Sequence, residues 1–163
     1  MTDIWKKVLD SQYAAAMRTM ELVIENCPDD LWDSREQGPP VWHVLYHAAF
    51  YAQLYVGDSE DSLRPQSLHW PNAEQLGEEP TNLISKEQLS DYFIWLRRFL
   101  KGQIEGCTEG DLKGDAPFHW LPFSRAECLV YSLRHVQHHA AEMCDRVKAA
   151  TGKGFSWVGK GEL

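Results

Sequence analysis

VWHVLYHAAFYAQLYV, residues 41–56, is apolar on nearly every side and meets no helix breaker until Gly57. A helix of that kind has to be covered almost all round, so the stretch predicts a central helix or one at a subunit interface. It carries His43 and His47, four residues apart, and RHVQHH at 134–139 repeats the spacing with His135 and His139. Positions i and i+4 of a helix lie about 40° apart, one turn above each other. Two such pairs on facing helices are able to build one metal site.

Outward from this stretch, the chain reads as three further helices. Ile4, Trp5, Val8, Leu9, Ala15, Ala16, Met20, Val23 and Ile24 recur at helical spacing after a possible N-cap at Thr2, and Pro28 closes the run. A capping-box pattern, Ser85 with Gln88, opens a helix whose apolar face is Leu89, Tyr92, Phe93, Leu96, Phe99, Leu100 and Ile104, ending before Gly106. Another, Ser124 with Glu127, opens the last helix, which runs to about Thr151 before Gly152. Four long amphipathic helices and no strand pattern predict an all-α four-helix bundle. Residues 57–82 hold Pro65, Pro71, Gly77 and Pro80, too long a connection for a tight hairpin, and read as a crossover between helices 2 and 3 or an active-site cover.

With 163 residues the chain is sized for a single domain over 1–163. Hydrophobic residues at 44% and charged residues at 25%, with seven Trp, describe a soluble globular protein with a packed core. The net charge is −8 and the basic residues form no stripe, which argues against nucleic acid as a partner. No run of about 18 apolar residues argues for a membrane span, and the start has no signal-peptide pattern, so a cytoplasmic location is expected. Cys27, Cys107, Cys128 and Cys144 are widely spaced without CxxC and read as reduced, buried thiols.

With His135 at 0° on the last helix, the core stripe Leu129, Leu133, Val136, Ala140, Met143 and Val147 centres near about 120°, and His139 falls near about 40°, at its edge. His138 points away and is left out of the metal set. On helix 2 the same construction puts His47 closer to the core stripe than His43. Neutral imidazoles suit a divalent transition metal.

Trp42 to His47 spells W-x-x-x-x-H, and His135, His138 and His139 spell H-x-x-H-H. In these motifs the chain resembles the DinB/YfiT-like superfamily of metalloenzymes. The resemblance implies a four-helix bundle with a long crossover between helices 2 and 3, and three histidines, here His47, His135 and His139, binding a divalent metal, zinc or nickel first among candidates. It implies a small-molecule substrate and either hydrolase activity or transfer of a low-molecular-weight thiol. Where many members have Arg-Gly-Gln after the final histidine, this chain has Ala140-Ala141-Glu142. Glu142 and His43 are candidate catalytic residues acting from behind the ligands, Glu142 by holding a ring N–H or a metal-bound water.

Three histidines leave an open position, the mark of a catalytic metal site. No HEXXH and no GxSxG occurs, which disfavours a helix-borne metalloprotease and a serine hydrolase. Two rivals stand beside the enzyme reading. One is a non-catalytic hemerythrin-like bundle in which both histidine pairs hold two metals, and a Glu-x-x-His pair that would support it is lacking. The other is a metal-free interaction module. A homodimer is expected from the apolar second helix. The loops carrying His69-Trp70 and Phe118-His119-Trp120, with Trp157 of the tail, are expected to cover the site.

Overall fold

The computed structural model describes residues 2–59, 68–69 and 71–163. They form six helices: α1 Thr2–Asn26, α2 Asp29–Trp32, α3 Val41–Val56, α4 Lys86–Gly106, α5 Glu109–Lys113 and α6 Arg125–Thr151. The chain is all-α, and among the described residues the extended pairing is one isolated bridge between Asp115 and Ser124. The two short helices, α2 and α5, lie in connections where the sequence pattern indicates no helix. In α5 a Thr108–Asp111 capping box satisfies a helix start too short to show any apolar period.

The long helices begin and end for local reasons. Ser85 accepts from the Gln88 amide while the Gln88 side chain returns to the Ser85 N–H, so two orphan donors of α4 are satisfied at once. Ser124 accepts from the Glu127 amide at the start of α6, and Gly152, in the left-handed region at φ 72°, stops it. At the end of α3 the buried Arg125 guanidinium donates to the carbonyls of Tyr55 and Val56 at 2.9 and 2.5 Å. A cation there satisfies two orphan acceptors and opposes the negative end of the helix dipole.

Each long helix packs against two others: α1 against α6 and α4, α3 against α6 and α4. α1 and α6 run parallel, with the Tyr13 hydroxyl donating to Leu129 O at 2.8 Å near one end and Asn26 beside Thr151 at the other. α1 and α4 run antiparallel, tied by Lys6 to Glu105 O at 2.7 Å and by Lys86 to Cys27 O at 2.6 Å. α3 is antiparallel to α6, with Tyr55 beside Cys128 and His47 beside His135. It follows that α3 and α4 are parallel. The chain must therefore travel back along about 24 Å of helix between them, which is why the connection is long.

The far side of α3 is closed by that connection, with Ala73 and Ile84 buried and His69 stacked on Phe50 at 5.1 Å. Every residue of α3 is buried except His47 and Tyr51. The helix is thus central, and its apolar surface is used inside the chain rather than offered to a second subunit. The tail docks on the other side of the molecule, over α1 and α4: Arg97 and Lys101 donate to the carbonyls of Glu162 and Leu163 at 2.6 and 3.0 Å. A Cβ on Gly161 would stand 3.0 Å from Ala14 Cβ, so glycine is what permits this close approach. No helix among the described residues is long and apolar enough to cross a membrane.

Candidate metal centre

α3 and α6 bring His47, His135 and His139 together, with one ring nitrogen from each lying within 4.8 Å of the others. His47 Nε2 and His135 Nε2 are 3.1 Å apart. Two ligands at about 2.1 Å from a tetrahedral metal are separated by about 3.4 Å, so the pair already has nearly the spacing that one ion imposes. The residues therefore fit a divalent metal by donor type, number and spacing.

The free lone pairs are set from behind the rings. His47 Nδ1–H donates to Glu74 O at 2.5 Å, because a carbonyl only accepts, and this leaves Nε2 of the neutral ring unprotonated. His139 Nδ1 lies 3.0 Å from Glu142 Oε2, which leaves its Nε2 free in the same way. His135 has no such support: its Nδ1 is buried and meets no partner.

The electrostatics favour neutral rings. Burial pulls the His47 pKa down to about 4, against the Glu74 carbonyl, which raises it, and with the positive potential of His139 adding to the fall. Burial likewise takes His135 to about 3, helped by His139 and His47. His139 is lowered by burial, with Glu142 acting in the opposite direction. His47 and His135 thus stay neutral well below pH 7, the charge state that binds metal.

His43 stands apart from the three rings. It is 1% exposed, more deeply enclosed than the outer position expected from the helical wheel, because the crossover covers that side of α3. Its Nε2–H donates to Ala73 O at 2.8 Å. Successive carbonyls, Ala73 and Glu74, therefore receive successive turns of α3, and His43 touches the centre only through the segment that it anchors. Sequence reasoning missed both carbonyls. Asn72, in the left-handed region at φ 63°, and the Gln75 N–H to Asn72 O bond at 3.0 Å are the turn that aims them. His138 is exposed and forms a second, outer group with His139 and Glu142.

Tyr51 completes the wall, meeting His47 and His135 edge-on at ring separations of 4.8 and 5.5 Å. Beyond it Tyr55 packs on Tyr131 and Phe118 at 5.4 and 5.6 Å. This corrects the expected cover. Phe118 and Trp120, 5.3 Å apart, sit at the level of Tyr55, two helical turns or about 12 Å along α3 from His47. Trp157 is 83% exposed and borders Gln137, Ala141 and Cys144, on the face of α6 turned away from His135 and His139. Trp70 lies outside the described residues. Among the described residues, the part of the crossover that reaches the centre is the backbone at Ala73 and Glu74, behind His43 and His47.

Searches among curated proteins and among solved structures found no match. A family model, the DinB superfamily, matches residues 12–143, a span that includes all three histidines and most of the chain. The chain belongs to the DinB superfamily.

Proposed function

We propose that the protein is a metal-dependent enzyme in which His47, His135 and His139 hold one divalent transition metal, zinc or nickel, and that it acts on a small molecule as a hydrolase or a low-molecular-weight-thiol S-transferase. The observation that carries this reading is the 3.1 Å approach of His47 Nε2 to His135 Nε2, with Glu74 O and Glu142 holding the opposite nitrogens of His47 and His139. A divalent ion bound there would supply Lewis acidity at an open coordination position. The chain's own residues do the rest. The Glu74 carbonyl and the Glu142 carboxylate keep rings oriented, and Tyr51 closes the wall on His47 and His135. His47 and Tyr51, the half-exposed residues of α3, make the approach for substrate, and the Tyr51–Tyr55–Tyr131 row suits a partly apolar molecule.

The dinuclear hemerythrin-like alternative is disfavoured by His43, whose Nε2 is occupied by Ala73 O and which joins neither ligand group. The proposal includes a single-domain four-helix bundle built from α1, α3, α4 and α6, a cytoplasmic location, and a homodimer. With α3 enclosed, an apolar surface available for a dimer is the one-sided cluster Ile4, Trp5 and Val8 of α1, among the exposed large hydrophobics. Metal content of untagged protein, wild type and His139→Ala, tests the centre. One ion per wild-type chain and none in the variant is the expected result, and two ions or equal content in both would overturn it. Turnover of ester or amide substrates, against conjugation of a thiol to an electrophile, then separates the two reaction classes.

A further inference from the structure

Glu74 holds His47 by its main chain, and its side chain has a separate peculiarity. Oε2 of its carboxylate is buried and meets no hydrogen-bond donor. The ion pairs among the described residues do not include Glu74. A carboxylate oxygen taken from water without a donor costs free energy in every metal-free molecule. Nearby groups register the charge: burial is the main influence on His43, Tyr46, His47 and Tyr51, and Glu74 raises the pKa of all four in addition. Two of the four belong to the metal centre, His47 as a ligand candidate and Tyr51 against His47 and His135, so the carboxylate lies on the α3 side of the site.

We propose that the Glu74 carboxylate is the anionic partner of the cation held by His47, His135 and His139. The inference rests on the three-histidine reading above. Glu74 belongs to neither group of potential ligands, so it acts on the ion from outside the ring set. Three neutral imidazoles leave a divalent ion with its full charge in a half-buried site, and one carboxylate beside them halves the net charge of the centre. The charge of the buried carboxylate and that of the ion then offset each other across the His47 side of the centre. The crossover would thus contribute twice from one residue, a carbonyl to orient His47 and a carboxylate to compensate the metal.

The test compares metal-free preparations of wild type, Glu74→Gln, Glu74→Asp and His139→Ala. Zinc affinity is measured by competition with a chromogenic chelator, and thermal midpoints are taken with and without zinc. Glu74→Gln is expected to bind one zinc 10- to 100-fold more weakly. Its metal-free midpoint should equal or exceed that of wild type, because the uncompensated charge is gone, and Glu74→Asp should recover most of the affinity. Wild-type affinity in Glu74→Gln beside a deficient His139→Ala overturns the role of Glu74 and leaves the histidine centre standing. Failure of wild type to take up added zinc overturns both. A lowered metal-free midpoint in Glu74→Gln and Glu74→Asp alike marks Glu74 as structural and overturns the proposal.

Discussion

His47 Nε2 and His135 Nε2 face each other across 3.1 Å from two antiparallel helices, yet only His47 has a partner behind its ring. In the metal-free chain one of these nitrogens must carry the proton that lies between them. His47 donates from Nδ1, so the proton sits on His135 Nε2, and metal binding at that nitrogen requires His135 to change tautomer and carry its proton on Nδ1. His139, backed by Glu142, requires no such change.

Ligand identity is therefore expected to be sharply resolved along α6. His139→Ala should abolish stoichiometric zinc binding, while His138→Ala, at an exposed position, should change affinity by less than about threefold, a surface effect of under 1 kcal/mol. Elemental analysis of protein purified without an affinity tag checks both, and equal loss in the two variants would refute the ligand set.

Glu142→Gln keeps the shape of the carboxylate and removes its charge from His139 Nδ1. Zinc affinity should fall by about 10- to 100-fold, as is usual when the support of a histidine ligand is altered. Chelator competition measures it. An unchanged constant would make the 3.0 Å contact incidental.

The metal-free chain should lose stability in mild acid. His47 and His135 titrate near 4 and 3 in the fold but near the ordinary 6.5 when unfolded. Between those values the unfolded chain binds more protons, so stability rises with pH there. Unfolding in urea should show full stability above about pH 6.5 and a loss of roughly 1–2 kcal/mol by pH 5, after allowance for the partial exposure of both rings. A His47→Gln/His135→Gln double variant should flatten this dependence. A slope of the opposite sign would contradict the neutral-ring state.

Asn72→Ile places a β-branched residue at φ 63°. It should cost about 1–2 kcal/mol and weaken zinc binding through the displaced Glu74 carbonyl, whereas Asn72→Gly should leave binding near wild type. Stability and zinc affinity measured on the same samples separate the effects, and an Ile variant with normal affinity would show that the turn does not aim the carbonyl.

The sequence was most informative where apolar spacing and side-chain chemistry coincide. The capping residues Ser85 and Ser124, the stop at Gly152 and the enclosed character of residues 41–56 all appear in the structure at the positions their chemistry indicated. His47, His135 and His139 come together because helix spacing fixes which rings share a groove. The helical wheel put His43 farther from the core stripe than His47, and it could not show the crossover that buries the ring. The aromatics at 118–120 and 157 were assigned to a cover from loop length and residue type, and only the tertiary path shows Phe118 at the level of Tyr55 and Trp157 on the other face of α6. Nothing in the letters A and E at 73 and 74 announces a main-chain acceptor.

That last point bears on how the centre is to be mapped. An alanine scan reads side chains, and position 73 is already alanine, so the acceptor that seats His43 would register as silent. At position 74 the same scan would remove the carboxylate and leave the carbonyl that orients His47 untouched. Main-chain chemistry is the appropriate probe: an amide-to-ester replacement weakens the carbonyl as an acceptor while preserving every side chain. Inserted after Ala73, it would isolate the acceptor of His43; after Glu74 it would also remove the Gln75 N–H that bonds Asn72 O, and so would read the carbonyl and its turn together, a backbone contribution that the genetic code cannot vary.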